Sequence, residues 1–310
     1  EIMTEAQVAR YQSEGSLDFA YQLPDGDRFR INLFRQRGQS SLAARRVPRK
    51  ILDYEELHLP ASLSKLAEFH QGLILLTGIT GSGKSTTIAA MVEQINRTRA
   101  CHIMTIEDPI EFIYEDKKAF VNQREVGLDV PNYEEALKYM MREDPDVILI
   151  GEMRDQETVA AALSAAETGH LVFGTIHSST TAGTISRILD LFPEDGRSLV
   201  RNSLVFNLQA IVGLKLVPGL QPDIPRVPCC EIMICNGTIR KLIANGRDSD
   251  ITAVIRNSYH EGMVDFTESL HRLVEAELIS VKTAYTVAPN ADELKMRIKG
   301  ISVTAGGIIG

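Results

Sequence analysis

The spacing of apolar residues changes once along this chain, near residue 70. Before that point, Leu17–Tyr21 and Phe29–Phe34 alternate apolar and polar residues, and turn-forming residues at 24–27 separate them. We therefore expect antiparallel β-structure from position 17 to about 47. From Leu73 onward, short apolar strands alternate with helical segments, and this order is typical of a parallel α/β sheet.

From residue 73 onward the pattern predicts five strands that alternate with helices, then a last strand and further helices. The chain as a whole divides into four consecutive regions. The strands are Leu73–Thr77, His102–Ile106, Ala119–Gln123, Val147–Ile150 and Leu171–Gly174. The helices are 86–95, 158–168, 181–191 and 197–209, and a last strand at 230–235 leads to helices at 239–244, 251–259, 266–278 and 292–298. The Gly-rich end, 302–310, is predicted to lack regular structure. The predicted regions are an N-terminal domain (1–48), a linker (49–70), a nucleotide-binding core (71–235) and a helical C-terminal region (236–310).

Residues 78–85 read GITGSGKS, which matches the P-loop pattern G-x-x-x-x-G-K-[ST] between a predicted strand and a predicted helix. Its glycines let backbone N–H groups face a phosphate chain, and the helix N-terminus adds partial positive charge. Lys84 would reach the β- and γ-phosphates, and the hydroxyl of Ser85 would bind Mg²⁺. The chain is therefore predicted to bind a nucleoside triphosphate. The predicted contacts are Thr80, Gly81, Ser82, Gly83, Lys84, Ser85 and Thr86.

Charged residues follow three of the predicted strands at their carboxyl ends, where parallel strands meet the phosphate site. Glu152 ends the segment DVILIGE and would orient the attacking water. The usual aspartate of a Walker B strand is replaced by Gly151, so we do not expect this strand to bind the metal directly. The segment TIEDPIEF (105–112) supplies three more carboxylates. His177 follows a further strand on the phosphate side, whereas His170 precedes that strand and would stabilise the fold.

Composition and charge exclude several classes of protein. The 310 residues suffice for two or three domains, and no apolar run approaches the roughly 18–20 residues that span a bilayer. The net charge of -8 argues against a general nucleic-acid-binding protein. The four cysteines, at 101, 229, 230 and 235, form no CxxC pair. We interpret them as reduced thiols and predict neither a zinc site nor disulfides.

The P-loop, TIEDPIEF, GEMRD and TGHLVFGTIH, in this order and spacing, resemble the motifs of the secretion and type IV pilus ATPases. The resemblance implies an α/β fold: a RecA-like P-loop ATPase core, a partial PAS-like α+β N-terminal domain and a helical C-terminal region. It also implies a homo-hexameric motor that uses ATP and Mg²⁺. Such motors are cytoplasmic and peripheral at the inner face of the membrane. The implied partners are an inner-membrane pilus platform protein and other pilus ATPases, with no nucleic acid.

The resemblance also assigns roles to particular residues. Glu152 matches the catalytic glutamate, and Glu107 and Glu111 match acidic positions of the motif called the Asp box. The family inserts N-domain arginines at the nucleotide; Arg30 and Arg45 match best, with Arg28 as an alternative. The predicted catalytic set is Glu152, Lys84, Glu107, Glu111, His177, Arg30 and Arg45. The segment before residue 17 is short for a PAS-like domain, so we expect residues to be missing from its N-terminus.

Two features favour a retraction motor over an assembly or type II secretion motor. Assembly and type II secretion ATPases often carry a tetracysteine zinc element, whereas residues 216–226 look like a short proline-rich link without cysteine. The segment TIRKLI (238–243) resembles the AIRNLI motif of pilus retraction ATPases, with departures at Thr238 and Lys241. An assembly or secretion motor is therefore the first alternative. A nucleotide-gated adaptor with little turnover is the second, and a nucleic-acid translocase the third.

Overall fold

The computed structural model describes residues 2–24 and 26–300. The predicted unstructured end at 302–310, and one residue of the turn at 24–27, lie outside the described residues. Among the described residues, no helix is both long enough and apolar enough to cross a membrane. The division of the chain at 48, 70 and 235 remains a prediction.

The N-terminal part consists of one helix and a three-stranded antiparallel sheet, as the alternating pattern predicts. The elements are α1 (Glu5–Glu14), β1 (Ser16–Gln22), β2 (Arg28–Gln36) and β3 (Gln39–Arg46). Helix α1 was not predicted; Thr4 caps it, and Tyr11 is its buried side chain. Tyr11 packs with Leu17, Phe19 and Ile31 into a small apolar cluster of its own.

A seven-stranded sheet forms the centre of the chain. Among its described strands, every pairing is parallel except that between β9 and β10. The strands are β4 (Gly72–Thr77), β5 (His102–Glu107), β6 (Phe120–Glu125), β7 (Val147–Ile150), β8 (Leu171–Ile176), β9 (Leu208–Pro218) and β10 (Arg226–Ile234). Their order in the sheet is β10-β9-β4-β8-β7-β5-β6. The carboxyl ends of β4, β5, β7 and β8 therefore lie side by side, which is where a nucleotide binds in such sheets.

The prediction of a helix over 197–209 followed by a link at 216–226 was wrong in part. The helix ends at Asn207, and Leu208 begins β9, which continues to Pro218. Strand β10 starts at Arg226 and pairs antiparallel with β9, so the supposed link is the hairpin between two strands. The apolar residues of β9 fit a helical or an extended spacing equally well. Hydrogen bonding of these residues with β4 and β10 favours the extended strand over the helix.

Helices cover both faces of the sheet, and the alternating side chains of β4 show how they divide. Leu73 and Leu75 belong to one buried cluster, whereas Ile74 and Leu76 belong to the cluster on the opposite face. The helices of this part are α2 (Ser62–Leu66), α3 (Lys84–Thr98), α4 (Tyr133–Met140), α5 (Gln156–Glu167), α6 (Thr181–Leu189) and α7 (Arg197–Asn207). Helix α3 packs its apolar side against the second cluster, and this packing fixes the P-loop that precedes it.

The C-terminal helices are tied together by a network of charges around Asp265. The helices are α8 (Gly237–Ala244), α9 (Ile251–Asn257), α10 (Phe266–Glu275), α11 (Val281–Val287) and α12 (Ala291–Ile298). The carboxylate of Asp265 accepts hydrogen bonds from Arg256 Nε at 2.9 Å, from Tyr259 Oη at 3.0 Å and from the Glu268 backbone N–H at 2.8 Å. Its side chain is 4% exposed. One buried carboxylate thus caps α10 and fixes the end of α9.

Replacing Asp265 with alanine is expected to lower the free energy of unfolding by about 3 kcal/mol, because it removes a helix cap and leaves partly buried donors unpaired. Urea unfolding followed by circular dichroism measures this loss. The matched control is Asp250→Ala, which removes an exposed ion pair with Arg247 and is expected to cost less than about 0.5 kcal/mol. Equal losses in the two variants would show that the Asp265 network does not stabilise the C-terminal helices.

Candidate nucleotide-binding site

The P-loop connects β4 to α3 through backbone conformations that favour glycine. Gly78, Gly81 and Gly83 have φ angles of 147°, 76° and 96°, which L-residues rarely adopt. A Cβ on Gly78 would lie 2.5 Å from the carbonyl oxygen of Leu214 and from the hydroxyl of Ser82. The glycines therefore allow a tight turn of backbone at the N-terminus of α3, where an anion binds favourably.

A cleft of about 280 Å³ opens between the P-loop and the carboxyl ends of the central strands. It brings together most of the residues that the sequence singled out. Its polar lining includes Arg30, Thr80, Lys84, Ser85, Glu107, Asp108, Glu111, Tyr133, Glu152, Arg154, Thr175 and His177. A neighbouring cleft of about 630 Å³ shares the P-loop residues and Arg30, and adds Arg45, Arg46, Gly83, Thr86 and Arg226.

Lys84 lies inside the cleft and contacts its own loop. Its ammonium group donates hydrogen bonds to the carbonyl oxygens of Gly78 at 2.9 Å and Ile79 at 3.1 Å. Burial lowers the pKa of Lys84, although the charges of Glu152 and Glu111 act in the opposite direction. A partly desolvated cation held by two neutral carbonyls is well placed to exchange them for an anionic phosphate, which is a stronger partner.

Both carboxylate oxygens of Glu152 are engaged. Arg154 Nη2 lies 2.6 Å from Oε2, and His177 Nε2 lies 2.9 Å from Oε1. Burial acts to raise the pKa of Glu152, but the hydrogen bond from Arg154 and the charges of Arg154, His177 and Lys84 outweigh it and lower the pKa. The other ring nitrogen of His177 lies 3.2 Å from the carbonyl oxygen of Gly78. His177 therefore bridges the glutamate and the P-loop, while Glu152 stays ionised.

The end of β5 and the loop after it place a second set of carboxylates in the cleft that the P-loop lines. Glu107 is buried and accepts hydrogen bonds from Thr105 Oγ1 at 2.7 Å and Gln123 Nε2 at 3.1 Å. Burial raises the pKa of Glu107 despite these hydrogen bonds. Glu111 lines the cleft four residues later. The two carboxylates thus differ: Glu107 is enclosed by protein donors, whereas Glu111 faces the cleft.

The N-terminal arginines separate into two groups. Arg30 lines both clefts, and Arg45 lines the larger one. Arg28, the alternative, lines neither; its guanidinium forms an ion pair with Glu125 at 2.8 Å. The structure therefore brings Arg30 and Arg45 to the P-loop and holds Arg28 away from it.

Residues 40–298 match the family described as type II/IV secretion system protein. The chain belongs to this family. It is 43% identical to the type IV pilus retraction ATPase PilT of Pseudomonas aeruginosa, over 92% of this chain and 82% of that protein. It is 42% identical to a twitching motility protein of Neisseria gonorrhoeae, over 94% and 78% of the two chains. The resemblance to the secretion and pilus ATPases, inferred from the motifs, is confirmed.

The fold of this type II/IV secretion system protein agrees with a solved relative. A crystal structure of the pilus retraction motor PilT with bound ADP superposes with a TM-score of 0.88, at 42% identity. The alignment covers 95% of this chain and 83% of that one. The predicted α/β class, with a P-loop core, an N-terminal antiparallel sheet and a helical C-terminal region, is confirmed.

The residues around Ser85 fit a magnesium ion that is held mainly by substrate and water. The Ser85 hydroxyl lines the cleft together with Glu107, Glu111 and Glu152, and oxygen donors of this kind suit Mg²⁺. Within the described part of the chain, no group of three or more His, Cys, Asp or Glu side chains forms a ready metal site. This donor set suits a cation that keeps several waters and binds phosphate oxygens, as Mg²⁺ does in such sites.

Gly151 occupies the position where many Walker B strands carry aspartate, and the surrounding atoms leave little room for a side chain. A Cβ there would lie 3.1 Å from Tyr133 Oη and 3.2 Å from both the Cα of Glu107 and the carbonyl oxygen of Ile106. A side chain there would require Tyr133 and the end of β5 to shift by a few tenths of an ångström. The crowding accounts for glycine at this position; that the strand does not bind metal directly stays a prediction.

Some residues lie in places that the sequence did not reveal. Arg154, Tyr133 and Arg226 line the clefts without having been predicted, although Arg154 belongs to the GEMRD segment and carried a signal there.

Two residues that the sequence did single out, Ser82 and His170, lie outside the cleft lining. The side chain of Ser82 is buried, and its hydroxyl has no hydrogen-bond partner among the described residues. Its backbone N–H donates to Ile79. His170 hydrogen-bonds the carbonyl oxygen of Ala165 at 2.9 Å, at the far end of β8.

Proposed function

We propose that this chain hydrolyses ATP as a homo-hexameric motor and that the work it does is pilus retraction. One observation supports this most strongly. The P-loop lysine, the Glu152–His177 pair, the acidic loop and an N-terminal arginine line a single cleft. The chain is also similar to PilT proteins over nearly all of its length.

ATP would bind by replacing contacts that the protein makes with itself. Lys84 would leave the carbonyl oxygens of Gly78 and Ile79 and pair with the β- and γ-phosphates. A mostly apolar pocket of about 320 Å³ adjoins Gly83 and Thr86 at the start of α3. Its lining includes Leu52, Leu57, His58 and Leu59, which suit a nucleobase. The phosphates and the base would then lie on either side of the helix N-terminus.

Hydrolysis would depend on position and charge. Glu152 would hold a water molecule in line with the γ-phosphorus and accept its proton while the oxygen–phosphorus bond to the β-phosphate breaks. His177 would keep the glutamate facing the P-loop, and Lys84, Arg30 and Arg45 would offset the negative charge that builds up on the phosphate. The Ser85 hydroxyl would help to hold Mg²⁺, which would supply further positive charge at the site.

Movement of the N-terminal sheet relative to the central sheet would follow because the two sides of the cleft belong to different sheets. Arg30 and Arg45 lie on the N-terminal sheet, whereas Lys84 and Glu152 lie on the central sheet. A ligand that binds both sides favours the arrangement in which they are close, so release of phosphate would allow them to separate. We propose that this cycle acts on an inner-membrane pilus platform protein, with other pilus ATPases as further partners. The motor would then lie at the cytoplasmic face of that membrane.

The ATPase rate as a function of protein concentration tests the enzymatic part of this proposal. Light scattering on the same samples gives the mass of the assembly. We expect turnover per subunit to rise as hexamers form, because arginines that approach the site from a neighbouring domain or subunit complete its charge. Turnover that is negligible at every concentration, with ATP still bound, would instead favour the adaptor.

The direction of the motor is tested in cells. Bacteria that lack their own retraction ATPase and carry this gene should regain twitching motility. Restored pilus assembly in a strain that lacks the assembly ATPase, without restored twitching, would favour the assembly motor instead.

A further inference from the structure

Two arginines on the same face of β2 have different contacts. Arg28 and Arg30 are two residues apart, so their side chains point to the same side of the strand. Arg30 enters the nucleotide cleft. Arg28 instead reaches the carboxyl end of β6, where its Nη2 lies 2.8 Å from Glu125 Oε2. The Arg28–Glu125 ion pair therefore joins the N-terminal sheet to the central sheet, two residues before Arg30 on β2.

Glu125 holds a second segment at the same time. Its Oε2 also accepts a hydrogen bond from the backbone N–H of Ile110 at 3.2 Å. Ile110 follows Glu107, Asp108 and Pro109 in the loop that lines the cleft. A single carboxylate thus contacts both the strand that carries Arg30 and the loop that faces Arg30 across the cleft.

The ion pair is largely enclosed. The side chains of Arg28 and Glu125 are 17% and 6% exposed, and Arg28 Nε is buried without a hydrogen-bond partner among the described residues. An enclosed guanidinium that loses its carboxylate partner Glu125 would remain as an uncompensated charge. The pair is consequently sensitive to any movement of the N-terminal sheet, and breaking it would favour a displaced position of β2.

We propose that Arg28 and Glu125 are positioning residues that set the reach of Arg30 into the nucleotide cleft. They touch neither the P-loop nor the cleft, and act on ATP through Arg30. The proposal rests on the proposed function, since Arg30 must contact a bound nucleotide. It predicts that loss of the pair matters for ATP use when Arg30 is present and has no effect when Arg30 is absent.

A double-mutant cycle on the full chain tests this inference. Glu125→Gln keeps an acceptor for Ile110 but removes the charge, and we expect it to lower kcat/KM for ATP about tenfold. Arg30→Ala should lower it at least as much. In the Arg30→Ala background, Glu125→Gln should change kcat/KM less than about twofold, because the pair has nothing left to position. Arg28→Lys, which preserves the charge, should retain most of the activity.

Two controls keep the result interpretable. Asp129→Asn alters a neighbouring hydrogen bond, which the backbone N–H of Glu125 donates to Asp129 Oδ2, without touching Arg28; it should leave kcat/KM unchanged. Circular dichroism melting shows whether each variant folds. Effects of Glu125→Gln and Arg30→Ala that multiply would overturn the proposal and leave the ion pair a purely structural role.

Binding of a fluorescent ATP analogue separates this proposal from the proposed function. If the wild type binds the analogue but does not hydrolyse ATP, the motor is refuted, and the same cycle in Kd still tests the pair. A Kd that changes equally in both backgrounds would refute the positioning role even in an active enzyme.

Discussion

Replacing Lys84 with alanine is expected to reduce ATP turnover by at least about two orders of magnitude, since the variant loses the cation that faces the phosphates and offsets charge in the transition state. Lys84 already lies in the cleft, held by the carbonyl oxygens of Gly78 and Ile79. Lys84 belongs to none of the apolar clusters formed by the described residues, so the fold should persist. ATP affinity should fall as well, because the lysine binds the nucleotide in its ground state too.

A coupled assay for released phosphate, with melting by circular dichroism, measures this effect. Lys65→Ala is the matched control, because Lys65 is exposed on α2 and lies outside both clefts. The control should hydrolyse ATP at the wild-type rate. A Lys84→Ala variant that retained a tenth or more of wild-type turnover would exclude the cleft as the site of hydrolysis.

Glu152→Gln should bind ATP about as well as the wild type and hydrolyse it more slowly by a factor on the order of 10² or more. Glutamine has nearly the same shape and can still accept one hydrogen bond. Its distances to Arg154 and His177 should therefore stay close to those of Glu152. It cannot accept a proton from water. The effect should therefore fall on kcat, with KM nearly unchanged.

Single-turnover hydrolysis, beside equilibrium binding of the fluorescent analogue, separates the two quantities. Glu157→Gln, in the exposed first turn of α5, is the control for a neutralised carboxylate near this strand. Turnover of Glu152→Gln at the wild-type rate would remove Glu152 from the mechanism. Loss of binding together with turnover would show that Glu152 supports the cleft instead of acting on water.

Much of the central sheet could be predicted because most of its strands are apolar runs that are too short for a typical helix. Strand β7, Val147–Ile150, was predicted with the bounds that the structure shows. The boundary between α7 and β9 could not be predicted, because Leu208 and Gln209 fit either element and the neighbouring strands decide. Helix α1 was missed because it is polar, with a single buried residue.

The nucleotide site shows the same division. The P-loop is encoded locally: glycines at 78, 81 and 83 permit its backbone, and a lysine and a serine follow at fixed positions, so its residues could be named from the chain alone. The motif resemblance favoured Arg30 and Arg45 over Arg28, but the local pattern around Arg28 and Arg30 gives no physical reason for that choice. The reason is a contact of Arg28 with Glu125, which is distant along the chain.

The sequence by itself therefore determined the fold class, the P-loop and the carboxylate that follows β7, because each depends on residues close together in the chain. The tertiary structure decided which side chains meet: His177 and Arg154 on Glu152, Arg226 beside the P-loop, and Arg28 on Glu125. Local pattern records backbone preference and burial. Contacts between distant segments depend on the order and register of the strands, which only the folded sheet establishes.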